Sequence, residues 1–376
     1  MNTRDLSFYS LLGGESGIRA IIDTVNSKYN NTNWKNHFNW DVPQMGLTFN
    51  VLTAKSNIAP MASVIDPNSP KPPRAKQGFG GYGGAIPKIG HGFDNEEQTL
   101  RDQQLLAANG GSYSQMAIAE LLFNDVDQLV QGAHSRINYM DDQIRSTGFL
   151  RINVDNNPDG IVLDVDYRVP SENFLKAGFG NAPKKAWTDP TANPVQDLID
   201  MVKYADDNNI AYDVFEMSKV LWNEFLYHPS VISWTRARMG MATSAPTYPI
   251  GETDVRNAVA GFGGIPPIII NDTKYNAQVD GEDTFIKAFN EGNVVLRPSG
   301  LLGKVKNAIS MHTLAPSTAD NLRSTVEGGR IAILNQWDAR KLINHIELEG
   351  YAIPTLDNPK NLLILDTTEA ASTPTT

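Results

Sequence analysis

A mixed helix-and-strand fold, α/β or α+β, is what this 376-residue sequence predicts, and three observations predict it. Residues from Ser112 to about Thr147 repeat apolar side chains at helical spacing. The segment that follows, FLRINVDNNPDGIVLDVDYRV, alternates as two strands about a turn signal at Asn157-Pro158-Asp159-Gly160. In the second half, helix starts at Asn193 and Ser218 are interspersed with short apolar runs of strand type.

The long helix carries the clearest pattern. Leu122, Val126, Leu129, Ala133, Ile137, Met140 and Ile144 recur in steps of three and four, which places them on one helix face. Ser112 or Ser114 can cap its start and Gly148 can stop it. At 1.5 Å per residue the stretch makes a rod of roughly 50 Å, long for one helix of a globular enzyme. A single apolar stripe without sustained heptads predicts that the rod lies along a sheet or loop rather than in a coiled coil. A long helix feeding a hairpin is a scaffold layout.

Upstream, residues 1 to about 50 hold a helix near Gly17 to Asn26 and otherwise little periodicity, which reads as an arm laid on another surface. Trp34, Phe38 and Trp40 are costly to leave in water. Either a neighbouring molecule covers them or they pack on the chain's own body. From about Asn50 to Gly92 the composition shifts to Pro and Gly, so this stretch is expected to be neither helix nor core strand but a projecting loop or extended hairpin. Lys71, Arg74 and Lys76 stand near its tip; they either pair with carboxylates of a neighbouring subunit or solvate a turn. Gly78, Gly80 and Gly83 satisfy G-x-G-x-x-G. Pro70, Pro72 and Pro73 before them and Pro87 after them remove the strand and helix that a dinucleotide site requires. Asp94 or Asn95 is then placed to cap a short helix, with Glu96 and Glu97 in its first turn and Gly110-Gly111 after it.

Beyond the hairpin, Asn193 with Pro194 at the first helical position starts a helix to about Asp206. AYDVFEM alternates as a strand, and Ser218 can cap KVLWNEFLY, which Pro229 stops. PPIIIND, near 266–272, reads as a buried strand, Asp280-Gly281 as a turn and GNVVLRPSG as another strand. RIAILNQW, an amphipathic stretch about Ala339–Glu349 and NLLILDTT follow, and EAASTPTT reads as a disordered tail.

Composition and motifs narrow the function classes. With no cysteine, the chain has no disulfide, thiolate metal site or cysteine nucleophile. A net charge of −10 disfavours a general nucleic-acid binder but suits a protein that merely surrounds nucleic acid without reading its sequence. No run of 18 or more apolar residues could span a bilayer, so no membrane partner is expected. The first residues lack the apolar core and cleavage site of a signal peptide, and synthesis and folding in cytoplasm are expected. His37, His91, His134, His228, His312 and His345 form no i, i+4 pair, and neither a hydrolase elbow nor a P-loop is present. No cofactor and no metal are expected. Carboxylates cluster at Asp125/Asp127, Asp141/Asp142, Asp164/Asp166 and Asp206/Asp207. A glycosidase-like pair is one reading of them and solvated helix and strand faces the other; no catalytic residue is assigned.

An arm, a projecting loop, a rod helix with its hairpin and a compact mixed domain describe an assembling structural protein, because such extensions become stable when neighbours supply the missing surface. The order of the segments is specific. IPKIGHGFDNEEQTLRDQQLL leads into the long helix and GFLRINVDNNPDGIVLDVDY leaves it; WTDPTANPVQDLIDMV, DVFEMSKVLWNEFLYHPSV and PPIIINDTKYN through GNVVLRPSG follow. In that order they resemble the major capsid proteins of tailed bacteriophages with the Hong Kong 97 fold, more narrowly the lambda-type major capsid protein E branch. Glu291-Gly292-Asn293 stands where that branch has Pro-Asp-Gly.

The resemblance covers roughly residues 50 to 366 and implies an α+β, Hong Kong 97-like capsid fold. Its parts would be an N-terminal arm at 1–48, an extended E-loop with its base at 49–105, and a peripheral domain with a long spine helix at 106–190. An axial domain at 191–299, a return to the peripheral domain at 300–353 and a final axial strand and tail at 354–376 would complete it. The resemblance implies a shell subunit rather than an enzyme, gathered as a homo-oligomer into hexamers and pentamers around double-stranded DNA in the virion. Portal, scaffolding and decoration proteins would be partners, the scaffold being a separate chain. Inter-subunit contacts would fall on Lys71, Arg74, Lys76, Trp34, Phe38 and Trp40. Two other readings are an encapsulin-like nanocompartment shell and an acidic α+β hydrolase whose long loop is a lid.

Overall fold

The computed structural model describes residues 15–54, 79–95, 101, 112–158, 160–240, 249–260, 262–279, 282–315, 321–338, 340–341 and 343–371. In chain order its elements are α1 (Glu15–Lys28), β1 (Phe38–Trp40), β2 (Thr48–Ala54), β3 (Phe79–Ala85), β4 (Lys88–Asn95), α2 (Ser112–Thr147), β5 (Phe149–Ile152), β6 (Leu163–Asp166) and β7 (Phe174–Ala177). Then come α3 (Pro194–Asp207), β8 (Val214–Ser218), α4 (Lys219–Tyr227), α5 (Pro229–Arg238), α6 (Glu252–Val259), β9 (Ile268–Asn271), β10 (Tyr275–Val279), β11 (Glu282–Ile286) and β12 (Asn293–Arg297). The chain closes with β13 (Gly303–Ala308), α7 (Met311–Leu314), β14 (Asn321–Val326), β15 (Ile331–Asp338), β16 (Ile343–Leu356) and β17 (Leu363–Ala370). Helices and strands are mixed without a regular βαβ repeat, which is the α+β class.

The chain divides into two compact units. The first comprises Met1–Phe49, Gly84–Met140 and Gly303–Thr355. Its sheet runs β1-β13-β16-β15-β14, with β4 also paired to β16. Ile22 and Val25 of α1 and Val126, Leu129, Val130 and Ala133 of α2 form one core with Val326, Ile331, Ile333, Ile346 and Leu348 of the strands. The apolar stripe of α2 is therefore a buried face, and its 126–133 part is laid on the sheet of this unit. Val126, Leu129, Ile137, Met140 and Ile144 are all at most 1% exposed. The side chains of Ser112, Ser114 and Leu122 lie outside the described residues.

The second unit comprises Asn50–Gly83, Asp141–Leu302 and Leu356–Thr376. Its main sheet runs β7-β17-β12-β8-β9, with β12 antiparallel to both β17 and β8 and with parallel β17/β7 and β8/β9 pairs. Leu198, Met201 and Val202 of α3 and Leu221, Trp222 and Phe225 of α4 pack with Phe215, Met217, Val294, Leu296, Leu363 and Leu365 of the strands. The helix starts are locally encoded. Asn193 accepts the Gln196 amide at 3.3 Å with Pro194 in the first turn, and Ser218 accepts the Leu221 amide at 3.0 Å. Gly148 ends α2 at φ +73°, its N–H donating to Ile144 at 2.8 Å, a left-handed conformation that glycine adopts without a Cβ penalty.

Several expectations are corrected. The Pro/Gly-rich stretch does contribute a sheet strand: β4 pairs with β16 from Lys88↔Tyr351 to Asn95↔Asn344. Glycine is what allows it, since a Cβ at Gly90 would come within 2.7 Å of the Leu348 carbonyl oxygen. Asp94 and Asn95 end β4, residues 96–100 lie outside the described residues, and Arg101 is helical. The hairpin after α2 pairs only Phe149↔Asp166 through Ile152↔Leu163. Asn156 accepts the Asn153 amide at 3.1 Å and donates to the Arg151 carbonyl at 3.0 Å, so short polar side chains satisfy the backbone that a longer ladder would have used. β9 is an edge strand with Ile269 exposed rather than a fully buried one. Glu369 and Ala370 belong to β17, with Ala370 opposite Ala177, so the ordered chain extends into the predicted tail. The Asp280-Gly281 turn lies outside the described residues. Residues 141–190 group with the second unit, where Asp142, Arg145 and Ser146 bond to Tyr275, Glu216 and the Asn290 amide.

Candidate functional site: buried charge clusters

In the first unit a cluster fastens residues 28–40. Trp34 and Phe38 have no accessible surface, and Trp40 is half-buried. The Trp34 amide donates to Asn138 Oδ1 at 2.8 Å and its indole N–H donates to His134 Nδ1 at 3.1 Å. Nδ1 accepts here, and the other ring nitrogen, Nε2, faces Glu327 Oε1 at 3.4 Å. Glu327 also accepts from Lys35 Nζ and from the Trp40 indole, each at 2.8 Å. Trp34 and Trp40 meet edge to face at 5.1 Å. Lys28 and Tyr29 anchor the end of α1 to Asp127 at 2.7 and 3.0 Å. Trp34, Phe38 and Trp40 thus pack on the chain's own body, the second of the two readings the sequence left open: His134 and Glu327 accept from the two indole N–H groups.

Burial alone would raise the Glu327 carboxyl, but the bonds from His134, Lys35 and Trp40 hold it down to about 2. A carboxyl whose folded pKa is depressed stabilises the fold above its ordinary value of 4.5 and loses that contribution as pH falls toward about 2. The melting temperature is therefore expected to decline through this acid range, and Glu327→Gln to flatten the decline. Superimposable acid limbs for the two proteins would remove Glu327 from the response.

In the second unit the last turn of α2 carries a buried guanidinium shared by three carboxylates. Arg145 Nε donates to Asp141 Oδ1 at 2.6 Å, and its terminal nitrogens donate to Asp142 and Glu216. Glu216, on β8, also accepts from Arg297 Nε of β12 at 2.6 Å. Asp142 accepts from Asn271 Nδ2 at 2.9 Å and from the Tyr275 hydroxyl at 2.5 Å. Burial opposes the charge on Arg145, but its three carboxylate neighbours hold its pKa well above the ordinary value. Burial would also raise Glu216, yet Arg145 and Arg297 keep it well below the usual carboxylate range. Asp142 responds the other way: burial, with Asp141 and Glu216 nearby, pushes it up to about 6.

A further buried carboxylate organises the loop before α3. Asp197 accepts from the Gly178 amide at 2.9 Å and from the Trp187 indole at 2.8 Å, and burial pushes it up to about 6. Asp200 beside it accepts from Asn181 Nδ2 at 3.0 Å, the Ala182 amide at 3.2 Å and Gln196 at 3.0 Å.

Asp141 and Asp142 are therefore buried ion-pair members and not a solvated helix face. Asp164 is exposed 3.9 Å from Arg151, and Asp206 accepts from Tyr212 at 2.9 Å. Lys71, Arg74, Lys76 and Gly78 lie outside the described residues. Gly80 and Gly83 lie in β3, which pairs with β2 as a two-stranded ladder rather than forming a strand–turn–helix. Among the described residues, no group of three or more His, Asp or Glu is arranged to hold a metal ion, and no helix is long and apolar enough to cross a membrane. Arg145, Glu216, Arg297, His134 and Glu327 were not singled out by sequence. A signal was present for one of them: Ile137, Asp141 and Arg145 are spaced i, i+4, which extends the buried stripe through two charges.

These side chains hold elements to one another. A long rod helix, a two-stranded β2–β3 ladder and buried charge pairs that tie elements together characterise this α+β chain. The chain belongs to the phage major capsid protein E family, whose model matches residues 22–361. With that family go the Hong Kong 97-like fold, the role of a capsid shell protein that assembles as a homo-oligomer, and a place in the virion. The fold is similar to that of a phage-related protein from Bordetella bronchiseptica (13% identity, covering 94% of this chain and 98% of that one, TM-score 0.47). It is also similar to the satellite phage P4 procapsid (10% identity, 94% and 100%, TM-score 0.41) and a virus-like particle from Pyrococcus furiosus (10%, 96% and 100%, TM-score 0.38). No curated protein sequence matches significantly.

Proposed function

We propose that this subunit gathers into hexamers and pentamers that close an icosahedral shell around phage double-stranded DNA, and that it assembles in the host bacterial cytoplasm. The observation that carries the reading is the family match across residues 22–361. The proposed anatomy is an arm at 1–48, an E-loop at 49–105, a peripheral domain at 106–190 with a return at 300–353, and an axial domain at 191–299 completed by 354–376. Lys71, Arg74 and Lys76 bring three cations to the loop, and carboxylates of an adjacent copy in this acidic protein complement them. A portal ring, a scaffolding protein and a decoration protein are the proposed partners, and DNA is enclosed without sequence readout. The chain acts structurally and not as an enzyme.

Expression with and without a candidate scaffold, followed by size exclusion and negative-stain microscopy, tests this. Rings, sheets, tubes or shells are expected; a strictly monomeric protein in every condition would overturn the reading. Deleting 66–86 is expected to leave a soluble, folded subunit that cannot close shells. Shells formed by that deletion would refute the role given to the loop.

A further inference from the structure

The foot of the β10–β11 hairpin is tied to the end of α2 through Asp142. Asn271 ends β9 and Tyr275 opens β10, and both donate to this carboxylate, one to each oxygen. The charged and titratable groups facing Asp142 are Asp141 and Arg145 from its own helix, Glu216 from β8 and Tyr275 from β10. Arg297 of β12 reaches the cluster through Glu216. The guanidinium that serves Asp142 is shared with Asp141 and Glu216. All three carboxylates are at most 4% exposed, so water does little to screen their mutual repulsion.

We propose that Asp142 takes up a proton in the folded subunit under mildly acidic conditions and acts as a latch, holding the β10–β11 hairpin firmly to α2 when protonated and loosely when ionised. The hydrogen bonds accommodate both forms. In the neutral acid, Oδ1 continues to accept from Arg145 and Asn271, while Oδ2–H donates to the Tyr275 oxygen. On ionisation the proton leaves to solvent, the Tyr275 hydroxyl becomes the donor, and the cluster gains one negative charge.

The direction follows from linkage. Burial raises the latched carboxyl from 3.8 to about 6, so the latched state binds the proton more tightly than a state in which Asp142 meets water. The extra stability is complete below the ordinary value and is lost as pH rises through about 6. Between pH 5 and pH 7 the opening equilibrium of the hairpin is expected to rise roughly tenfold from this group.

The test uses the full, unassembled chain. Hydrogen exchange of the 275–286 amides, corrected for intrinsic rates, is compared at pH 5, 6 and 7 in wild type and in Asp142→Asn. Wild type is expected to open about tenfold more at pH 7 than at pH 5, and Asp142→Asn to lose that dependence. Tyr275→Phe removes a donor that favours the ionised form, so its transition is expected at higher pH. A 13C-carboxyl titration of Asp142 in the wild-type chain gives the midpoint directly and needs no variant to fold. A midpoint at or below the ordinary carboxylate value, or equal pH dependence in wild type and Asp142→Asn, would overturn the latch.

Discussion

Arg145→Met lowers the unfolding free energy of the subunit by about 3–5 kcal/mol, as removal of one partner from a buried ion cluster does. The methionine fills much of the same volume, so the loss is electrostatic: Asp141 and Asp142 keep their buried places without the guanidinium, and Glu216 retains Arg297 alone. Arg145→Lys is expected to recover only part of the loss, because an ammonium cannot present the planar fork that Arg145 spreads over three carboxylates. Equilibrium urea unfolding of the soluble chain measures both. A change below about 1 kcal/mol in Arg145→Met would mean that the cluster is solvated.

Ile137→Asp is expected to prevent folding or to cost several kcal/mol, the penalty of placing an unpaired carboxylate on the buried face of α2. Ile137 is 1% exposed within the apolar stripe. Val126→Asp, a few turns earlier and fully buried, should behave alike. Soluble yield and melting temperature check both, and normal values would mean that the stripe does not lie on a sheet.

The gap between the two predictions follows how legible each residue was. Ile137 could be assigned to a buried face from its neighbours three and four positions away. Arg145 lies one i, i+4 step from Asp141, but its partner Glu216 is 71 positions distant, and nothing local distinguishes a buried charge from a solvated one. Trp34, Phe38 and Trp40 required cover, yet whether that cover came from the same chain depended on His134, about a hundred positions later, and on Glu327, nearly three hundred.

Local chemistry by itself determined the extent of α2, its stop at Gly148, the caps at Asn193 and Ser218 and the strand at 293–297, because each depends on neighbours within about four positions. Tertiary structure alone decided that glycine-rich β4 joins the sheet beside β16 and that Asp142 is buried with Asn271 and Tyr275. Those outcomes rest on groups brought together from positions about 130 to 260 apart, where backbone spacing carries no information and burial sets both the pairing and the charge.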